Sequence, residues 1–353
     1  MMDLSVPYYS DVSRISNSNI GWFLNKGPAY LHKMLTEDVP EEKNPVLERG
    51  TMIHEYLLQP EEFQKDYVIW DKSRPSSAQQ EKFCQAYASS LEIEPNKAIL
   101  EAYKTAYSTK GKTEETMLSE GLKIASTLKD YIDYLKSGDQ RIMIGPYDYQ
   151  MLKKIRNNFK AHKLAWKLLW PAEENMMGSI PPPMSNLKHY HEFHINWEYS
   201  APYKVDIGQN ETEKGLYRVQ CKSLLDSLTL DFENKKATIM DLKTTAKLWH
   251  FEESIEMYDY LRQLEYYTMA VKWYLSHELG EDTKEWNFDY YIIGIDTTGT
   301  YEIRVFKFHY WQPMGRYNDI VRALREIAWH QANNKWEHSR AYYEGDGSET
   351  LNL

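Results

Sequence analysis

Cysteine is scarce in this sequence: the 353 residues include only two, Cys84 and Cys221. They lie far apart and form no paired spacing, which excludes a disulfide framework, a cysteine-rich zinc module and a four-cysteine iron–sulfur cluster. Because thiols of this kind suit a reducing compartment, we expect a cytoplasmic protein that carries no iron–sulfur cluster.

Long hydrophobic runs are missing as well. No window approaches the roughly 20 apolar residues that a helix needs to span a bilayer. The first ten residues also lack the basic region and apolar core of a secretory signal. We therefore expect neither secretion nor insertion into a membrane.

Basic residues are not in excess, since 42 Lys and Arg face 52 Asp and Glu, for a formal net charge of −10. This balance argues against indiscriminate binding to nucleic acid, although a local basic groove is compatible with it. The sequence does contain 42% hydrophobic and 14% aromatic residues. That share of apolar side chains is enough to bury a core, so the chain is predicted to be globular.

The pattern of apolar residues divides the chain into a helical part and a strand-rich part. Residues 1–170 show helical spacing, 171–186 contain three consecutive prolines and predict a linker, and 341–353 predict a flexible tail. Between them, 187–340 alternate strand and helix patterns. The predicted strands are 192–198, 217–225, 237–243, 288–296 and 301–308, with helices at 254–279 and 313–333. These features predict the α/β (α+β) class, with a mixed central β-sheet flanked by helices and a helical N-terminal region.

Two carboxylates and a lysine form the most informative motif. Asp226 is followed 15 positions later by Asp241-Leu242-Lys243 at the end of an apolar strand. Because side chains alternate along a strand, Asp241 and Lys243 project to one side while Leu242 points to the core. If Asp226 ends the preceding strand, two carboxylates meet and suit Mg²⁺ or Mn²⁺. The alternative is an ordinary Asp/Lys pair at a strand end, because so short a motif often occurs by chance.

Several stretches in order along the chain carry a resemblance to a known group of proteins. Residues 188–275 resemble the PD-(D/E)XK nuclease superfamily, and the whole chain is similar to its RecE-type and lambda-exonuclease-like branch in phage and prophage recombination. The matching stretches are 49–63, 221–226 and 240–245, together with Gln263 and Tyr267. The family commonly has Arg-Pro-Asp where this chain has Leu224-Leu225-Asp226, so an expected basic side chain is absent.

The resemblance implies a metal-dependent DNA exonuclease with a restriction-endonuclease-like core. Its metal ligands would be His54, Asp226, Asp241 and the backbone carbonyl of Leu242, and Lys243 would assist the attacking water. The cofactor would be Mg²⁺, with Mn²⁺ as the alternative. The resemblance also implies duplex DNA ends as substrate, degradation from 5′ to 3′, a homo-oligomer, and a single-strand annealing protein as partner.

Four of the candidate residues have plain structural alternatives. A lone histidine on an apolar helix, such as His54, is often a core residue rather than a ligand. Gln263 and Tyr267, at spacing i and i+4, share a helix face and either contact DNA or pack against neighbours. Glu192, at the start of the first predicted strand, is a further acidic candidate near the metal, although strand-end glutamates are usually solvated.

A basic helix stands out within the acidic chain. Lys153, Lys160 and Lys163 approximate one of its faces and are candidates for contact with the DNA backbone, where neutralised phosphates release counterions. The alternative is a solvated helix face without a partner.

Two rival functions are consistent with the same residues. A non-catalytic DNA-binding or adaptor protein that retains the nuclease fold is supported by the missing arginine and the net charge of −10. An endonuclease of the same superfamily is the other. If the protein digests linear DNA and EDTA abolishes the digestion, the adaptor protein is excluded. Nicking of closed circular DNA would identify the endonuclease.

Overall fold

The computed structural model describes residues 6–37, 44–90, 93–171, 186–208 and 211–348. Short 3₁₀ helices cover Tyr8–Ser10, Leu248–His250 and Thr283–Glu285. The helices are α1 (Asn17–Thr36), α2 (Pro45–Leu58), α3 (Pro60–Asp66), α4 (Ala78–Ala88), α5 (Pro95–Ala106), α6 (Glu114–Thr127), α7 (Lys129–Ser137), α8 (Pro146–Ala161), α9 (Lys163–Leu169), α10 (Phe251–Met257), α11 (Tyr260–His277), α12 (Trp311–Met314), α13 (Tyr317–Asn333) and α14 (Arg340–Glu344). The strands are β1 (Tyr67–Ile69), β2 (Ile142–Ile144), β3 (Leu187–Gly208), β4 (Glu211–Asp231), β5 (Lys236–Thr245), β6 (Asn287–Asp296) and β7 (Ile303–Phe308).

The chain forms two compact units, Pro60–Lys153 and the combination of Met1–Gln59 with Lys154–Leu353. This division differs from the predicted one at residue 170, because α2 packs against β5 and so joins the unit that contains the large sheet. The predicted linker falls almost wholly outside the described residues. The predicted tail begins within α14, a short helix capped by the side chain of Ser339.

The smaller unit is built from short helices around its own core. Phe83, Tyr103 and Ile132 from α4, α5 and α7 are almost completely buried there. Strands β1 and β2 pair in parallel. No helix of the described ranges, in either unit, is long and apolar enough to cross a membrane.

The larger unit contains a five-stranded sheet in the order β3-β4-β5-β6-β7. Only β5 and β6 are parallel, whereas the other neighbours are antiparallel. The prediction of a mixed sheet flanked by helices is therefore confirmed. Strands β3 and β4 are 22 and 21 residues long, well beyond the predicted 192–198 and 217–225. Their extra length comes from antiparallel pairing with each other, a long-range contact that local patterns do not record.

The core of the larger unit lies between this sheet and three helices. Helices α11 and α13 contact β3 and β4, and α1 contacts both helices. Ile195, Leu228 and Ile239 from the strands and Tyr266 and Leu324 from the helices are completely buried. Each such side chain contributes roughly 1.5–3 kcal/mol through removal of apolar surface from water. This packing sets the position of α11 against the strands that carry the polar residues described below.

The helix predicted over residues 254–279 is two helices. Asp259 separates α10 from α11 with a left-handed backbone, φ 48°, and its carboxylate pairs with Arg262 at 3.5 Å and Arg316 at 3.0 Å. These ion pairs stabilise a conformation that is uncommon for a residue other than glycine. The break therefore separates the short α10 from α11, which packs against β3 and β4.

The buried Glu265 on α11 makes the stability of the larger unit depend on pH. Its side chain is 4% exposed, and burial, opposed by Lys272, raises its pKa from 4.5 to about 7. A raised pKa means that the folded state favours the neutral acid, so this contribution is complete below pH 4.5 and is lost as the pH rises through 7. We expect Glu265→Gln to be more stable than the wild type at pH 8, by at most roughly 3 kcal/mol, and equally stable at pH 4.

Urea unfolding at the two pH values measures this difference in the free energy of unfolding. Glu253→Gln, at an exposed position on α10, controls for the loss of one negative charge. A difference between Glu265→Gln and the wild type that is the same at both pH values would show that burial of this carboxylate is not the cause.

Candidate metal centre

Strands β4 and β5 separate at the point where the two motif carboxylates lie. Their antiparallel pairing ends with Ser227 opposite Met240. The next residues, Asp226 and Asp241, border a space between the diverging strands that we call the gap. Asp226 Oδ2 accepts a hydrogen bond from the backbone N–H of Leu242 across the gap at 2.6 Å. Because the N–H and C=O of an extended residue point to the same side, the Leu242 carbonyl also faces the gap.

The side chains of β5 alternate as the sequence predicts. Leu242 is completely buried in the core. Asp241 and Lys243 project together on the other side, with Lys243 Nζ 2.6 Å from Asp241 Oδ2. The Lys243 ammonium also lies over the ring of Tyr260, 4.9 Å from its centroid. A carboxylate and an ammonium are therefore held side by side at the edge of the gap.

Helix α2 brings His54 to the same place. Its Nδ1 lies 3.7 Å from Asp226 Oδ2. The position follows from the contact between α2 and β5, two elements far apart in the sequence. The structure thus joins the histidine predicted near the N-terminus to the aspartate predicted near the centre of the chain.

Glu192 is the third acidic residue at the gap. It lies opposite Asp226 in the β3–β4 ladder, and the residues on either side of it keep normal pairing with β4. Its own backbone is left-handed, with φ 47°, a strained conformation of the kind that clusters at functional sites. One donor atom each of His54, Glu192 and Asp226 lies within 4.8 Å of the other two. The left-handed backbone at Glu192 therefore belongs to the arrangement of potential ligands.

Burial shifts the protonation of all three carboxylic acids. Desolvation raises the pKa of Asp226 and raises that of Asp241 to about 6, although Lys243 opposes both shifts. Burial, followed by the charges of Asp226 and Asp241, raises the pKa of Glu192 to about 8. Desolvation alone would lower the pKa of Lys243, but Asp241 and Asp226 together raise it, so the ammonium stays charged. One ammonium does not balance the buried carboxylates of Asp226 and Asp241.

The donor set fits a divalent cation. Asp241 Oδ1 is buried and has no hydrogen-bond partner. Burial and the charge of Lys243 lower the pKa of His54 to about 4, so its imidazole is neutral, as a metal ligand must be. Three carboxylates, one backbone carbonyl and one imidazole form an oxygen-rich set, which is typical of Mg²⁺ and Mn²⁺ sites. Asp226, Asp241, Glu192, His54 and Leu242 are the residues that could hold such an ion.

Helix α11 borders the gap with Gln263 and Tyr267. Gln263 Nε2 donates to Tyr267 Oη at 2.7 Å, so the two side chains share a face as their spacing predicts. Tyr267 is only 7% exposed, and burial, then the charges of Asp241 and other neighbours, raises its pKa well above the ordinary value. Tyr267 therefore packs beneath the carboxylates. Contact of Gln263 or Tyr267 with DNA stays a prediction.

The basic helix that the sequence predicts around Lys153, Lys160 and Lys163 is not continuous. It breaks at His162, whose Nδ1 accepts a hydrogen bond from the N–H of Ala165 at the start of α9. Lys153 lies over the ring of Tyr149 and Lys160 over that of Trp166, whereas Lys163 begins the second helix. The break divides the predicted common face, and binding of DNA by these lysines stays a prediction.

The N-terminal segment fills the other end of the gap. Ile15 pairs in parallel with Cys221 of β4, beyond the point where β5 has diverged. The buried Lys222 donates through Nζ to the carbonyls of Tyr8 and Asp11, each at 2.6 Å. These bonds hold the first described residues against the strand that carries Asp226.

Sequence reasoning missed Glu55 and Tyr260 at this site. Glu55 follows His54 on α2, and its charge contributes to the raised pKa of Glu192. Tyr260 shares a helix face with Gln263 and Tyr267, at spacings of three and seven residues, and that periodicity was the available signal. No pattern in the sequence singles out Glu55.

Comparison with known proteins gives little further information. The sequence matches no protein-family model and no curated protein. One similar solved structure is the crystal structure of a "Putative exonuclease" from Eubacterium rectale, with 11% sequence identity and a TM-score of 0.44 over 100% of this chain and 96% of that one. Similarity at this level does not assign a function, so the function proposed below rests on the geometry of the gap.

Proposed function

We propose that this protein is a metal-dependent DNA exonuclease that hydrolyses phosphodiester bonds from duplex ends. The observation that carries the proposal is the cluster of His54, Glu192 and Asp226, whose donor atoms lie within 4.8 Å of one another, beside the pair of Asp241 and Lys243. An ordinary surface Asp/Lys pair does not explain why Asp241, 1% exposed, leaves a buried oxygen without a partner.

Most residues at the gap serve as metal ligands in this proposal. Asp226, Asp241, Glu192, His54 and the Leu242 carbonyl would hold Mg²⁺ or Mn²⁺. When bound, such an ion polarises a phosphodiester and lowers the pKa of water.

Lys243 is the residue of the chain that acts on the reacting groups. Its ammonium is held by Asp241 at 2.6 Å and lies over Tyr260, so its position is fixed before substrate binds. A fixed cation can orient the attacking water and stabilise the charge that develops on the phosphate. Gln263, half-buried on α11, has an amide that could reach a DNA phosphate or base.

Other parts of the proposal rest on the resemblance of motifs alone. These are the preference for duplex ends, the 5′-to-3′ direction, a place in phage or prophage recombination, the homo-oligomer and the annealing partner. The bacterial cytoplasm as location belongs with them.

Digestion of matched DNA substrates tests the proposed activity. Linear duplex labelled at either the 5′ or the 3′ end, and the same DNA as a closed circle, are incubated with Mg²⁺, Mn²⁺ or EDTA. We expect nucleotides to be released from linear DNA in either metal, 5′ label first, and no cleavage in EDTA or of the circle.

The rival functions give different results in the same assay. Nicking of the closed circle would identify an endonuclease. DNA binding without digestion in both metals would identify the adaptor protein, for which Leu224 and Leu225 in place of Arg-Pro are the supporting feature. Either result would reject the exonuclease proposal.

A further inference from the structure

Two histidines of β3 converge on the end of a helix, and neither is a ligand of the gap. His189 and His191 are two residues apart and therefore share a face of the strand. Both Nε2 atoms contact the carbonyl oxygen of Leu169, the last residue of α9, at 2.9 and 2.7 Å. The two Nε2 atoms are also 2.9 Å from each other. Three polar atoms thus form a closed triangle of short contacts.

No placement of protons satisfies all three contacts of this triangle. If both Nε2 atoms carry a proton, each donates to the carbonyl, but the contact between the nitrogens then opposes two donors. If only one carries a proton, a nitrogen lone pair faces the carbonyl lone pairs. If neither does, three lone pairs face one another. A cation bound to all three atoms satisfies every contact at once.

The surroundings leave the Nε2 lone pairs available. His189 Nδ1 lies 2.7 Å from Thr229 Oγ1, its cross-strand partner, which can accept the proton of the ring. His191 also hydrogen-bonds the backbone of Leu58 at the end of α2. A partner for the second ring nitrogen is the usual support of a metal-binding histidine, because it fixes the tautomer and the ring orientation.

We propose that His189 Nε2, His191 Nε2 and the Leu169 carbonyl form a second cation site, for a divalent transition metal such as Zn²⁺. Two imidazoles favour Zn²⁺, Ni²⁺ or Cu²⁺ over Mg²⁺, which prefers oxygen ligands. Zn–N bonds of about 2.0–2.1 Å are longer than the distance from the centre of the triangle to its corners, so the ion lies out of its plane, where water completes the coordination. Both histidines are half-buried, which leaves a path for the ion.

The site would have a structural effect. It joins the C-terminal end of α9 to β3 directly before Glu192, the residue with the left-handed backbone. A metal there would stabilise the left-handed backbone at Glu192. This inference uses no ligand of the gap and does not depend on the proposed nuclease activity.

Zinc binding in excess Mg²⁺ tests the inference, because Mg²⁺ competes for the oxygen-rich gap. The full-length protein is stripped with a chelator and titrated with Zn²⁺ against a chromophoric competitor. We expect the wild type and Asp241→Asn to bind one Zn²⁺ per chain at this site, and the double variant His189→Gln with His191→Gln to lose it. Thr229→Val, which keeps both histidines, should bind about 10- to 100-fold more weakly.

Two results would overturn the second site. One is a double variant that binds Zn²⁺ as tightly as the wild type, and the other is a wild type that binds no Zn²⁺ in excess Mg²⁺. Circular dichroism without metal checks that the double variant is folded. X-ray absorption of the zinc-loaded wild type is independent of any variant, and a spectrum without imidazole ligands would equally reject the site. Neither readout requires nuclease activity, so the two proposals can fail separately.

Discussion

Replacement of Asp241 by asparagine is expected to lower metal-dependent DNA hydrolysis by about 10³-fold or more. A bound divalent ion supplies several kcal/mol of transition-state stabilisation, and each 1.36 kcal/mol corresponds to a factor of about ten in rate. Asparagine keeps the shape of the 1% exposed side chain but removes its charge. It also removes the carboxylate that holds Lys243 at 2.6 Å.

The fold is expected to survive this substitution. Desolvation raises the pKa of Asp241 to about 6, so the folded protein carries a buried carboxylate at an energetic cost above that pH. Asparagine removes this cost and leaves Lys243 with the charge of Asp226, so we expect the thermal midpoint of the metal-free variant at pH 8 to be no lower than that of the wild type. Binding to duplex ends, measured by fluorescence anisotropy in EDTA, should be retained.

A matched control separates the gap from the rest of the sheet. Asp289 on β6 also pairs with lysines, Lys236 at 2.5 Å and Lys307 at 3.8 Å, but away from the gap. Asp289→Asn should keep the rate of nucleotide release from labelled linear DNA. Equal activity of Asp241→Asn and Asp289→Asn would refute the assignment of Asp241.

Replacement of Lys243 by methionine is expected to give the second large effect, a loss of about 10²- to 10³-fold in rate with retention of metal binding. Loss of one preorganised charge at a developing anion typically costs this much. Metal binding should tighten, because the ammonium repels a cation bound beside Asp241. The opposite changes in rate and in metal affinity distinguish this lysine from a ligand.

The metal-free Lys243→Met protein should be less stable than the wild type. Asp241 then lacks its ion-pair partner, and an uncompensated buried charge costs about 3–5 kcal/mol. This loss is expected at pH 8 and not at pH 4, because the carboxyl of Asp241, whose pKa is already raised to about 6, is neutral in acid. Mg²⁺ should therefore raise the thermal midpoint of Lys243→Met by more than that of the wild type.

Thermal unfolding with and without Mg²⁺, together with the digestion assay, checks both parts of this prediction. Lys307→Met, on β7 and 60% exposed, is the matched control and should change neither readout. A Lys243→Met protein that keeps the wild-type rate, or that gains no stability from Mg²⁺, would contradict the role given to this lysine.

Local patterns predicted much of the arrangement on β5. Alternation along a strand is a property of neighbouring residues, so the shared side of Asp241 and Lys243 and the buried position of Leu242 follow from the sequence. The same holds for the face shared by Gln263 and Tyr267 on α11. The spacing of apolar residues could not predict the break at Asp259, because the break depends on ion pairs with Arg262 and with the more distant Arg316.

Local sequence patterns were enough to predict the mixed α/β class, the residues of the motif and the helix that carries His54. The separation of β4 and β5 beyond Ser227 and Met240, and the approach of Glu192 to Asp226, became visible only in the folded chain. So did the contact of two histidines of β3 with the end of α9. Each of these features is a contact between segments far apart in the chain, whose energy comes from burial and pairing that no local periodicity records.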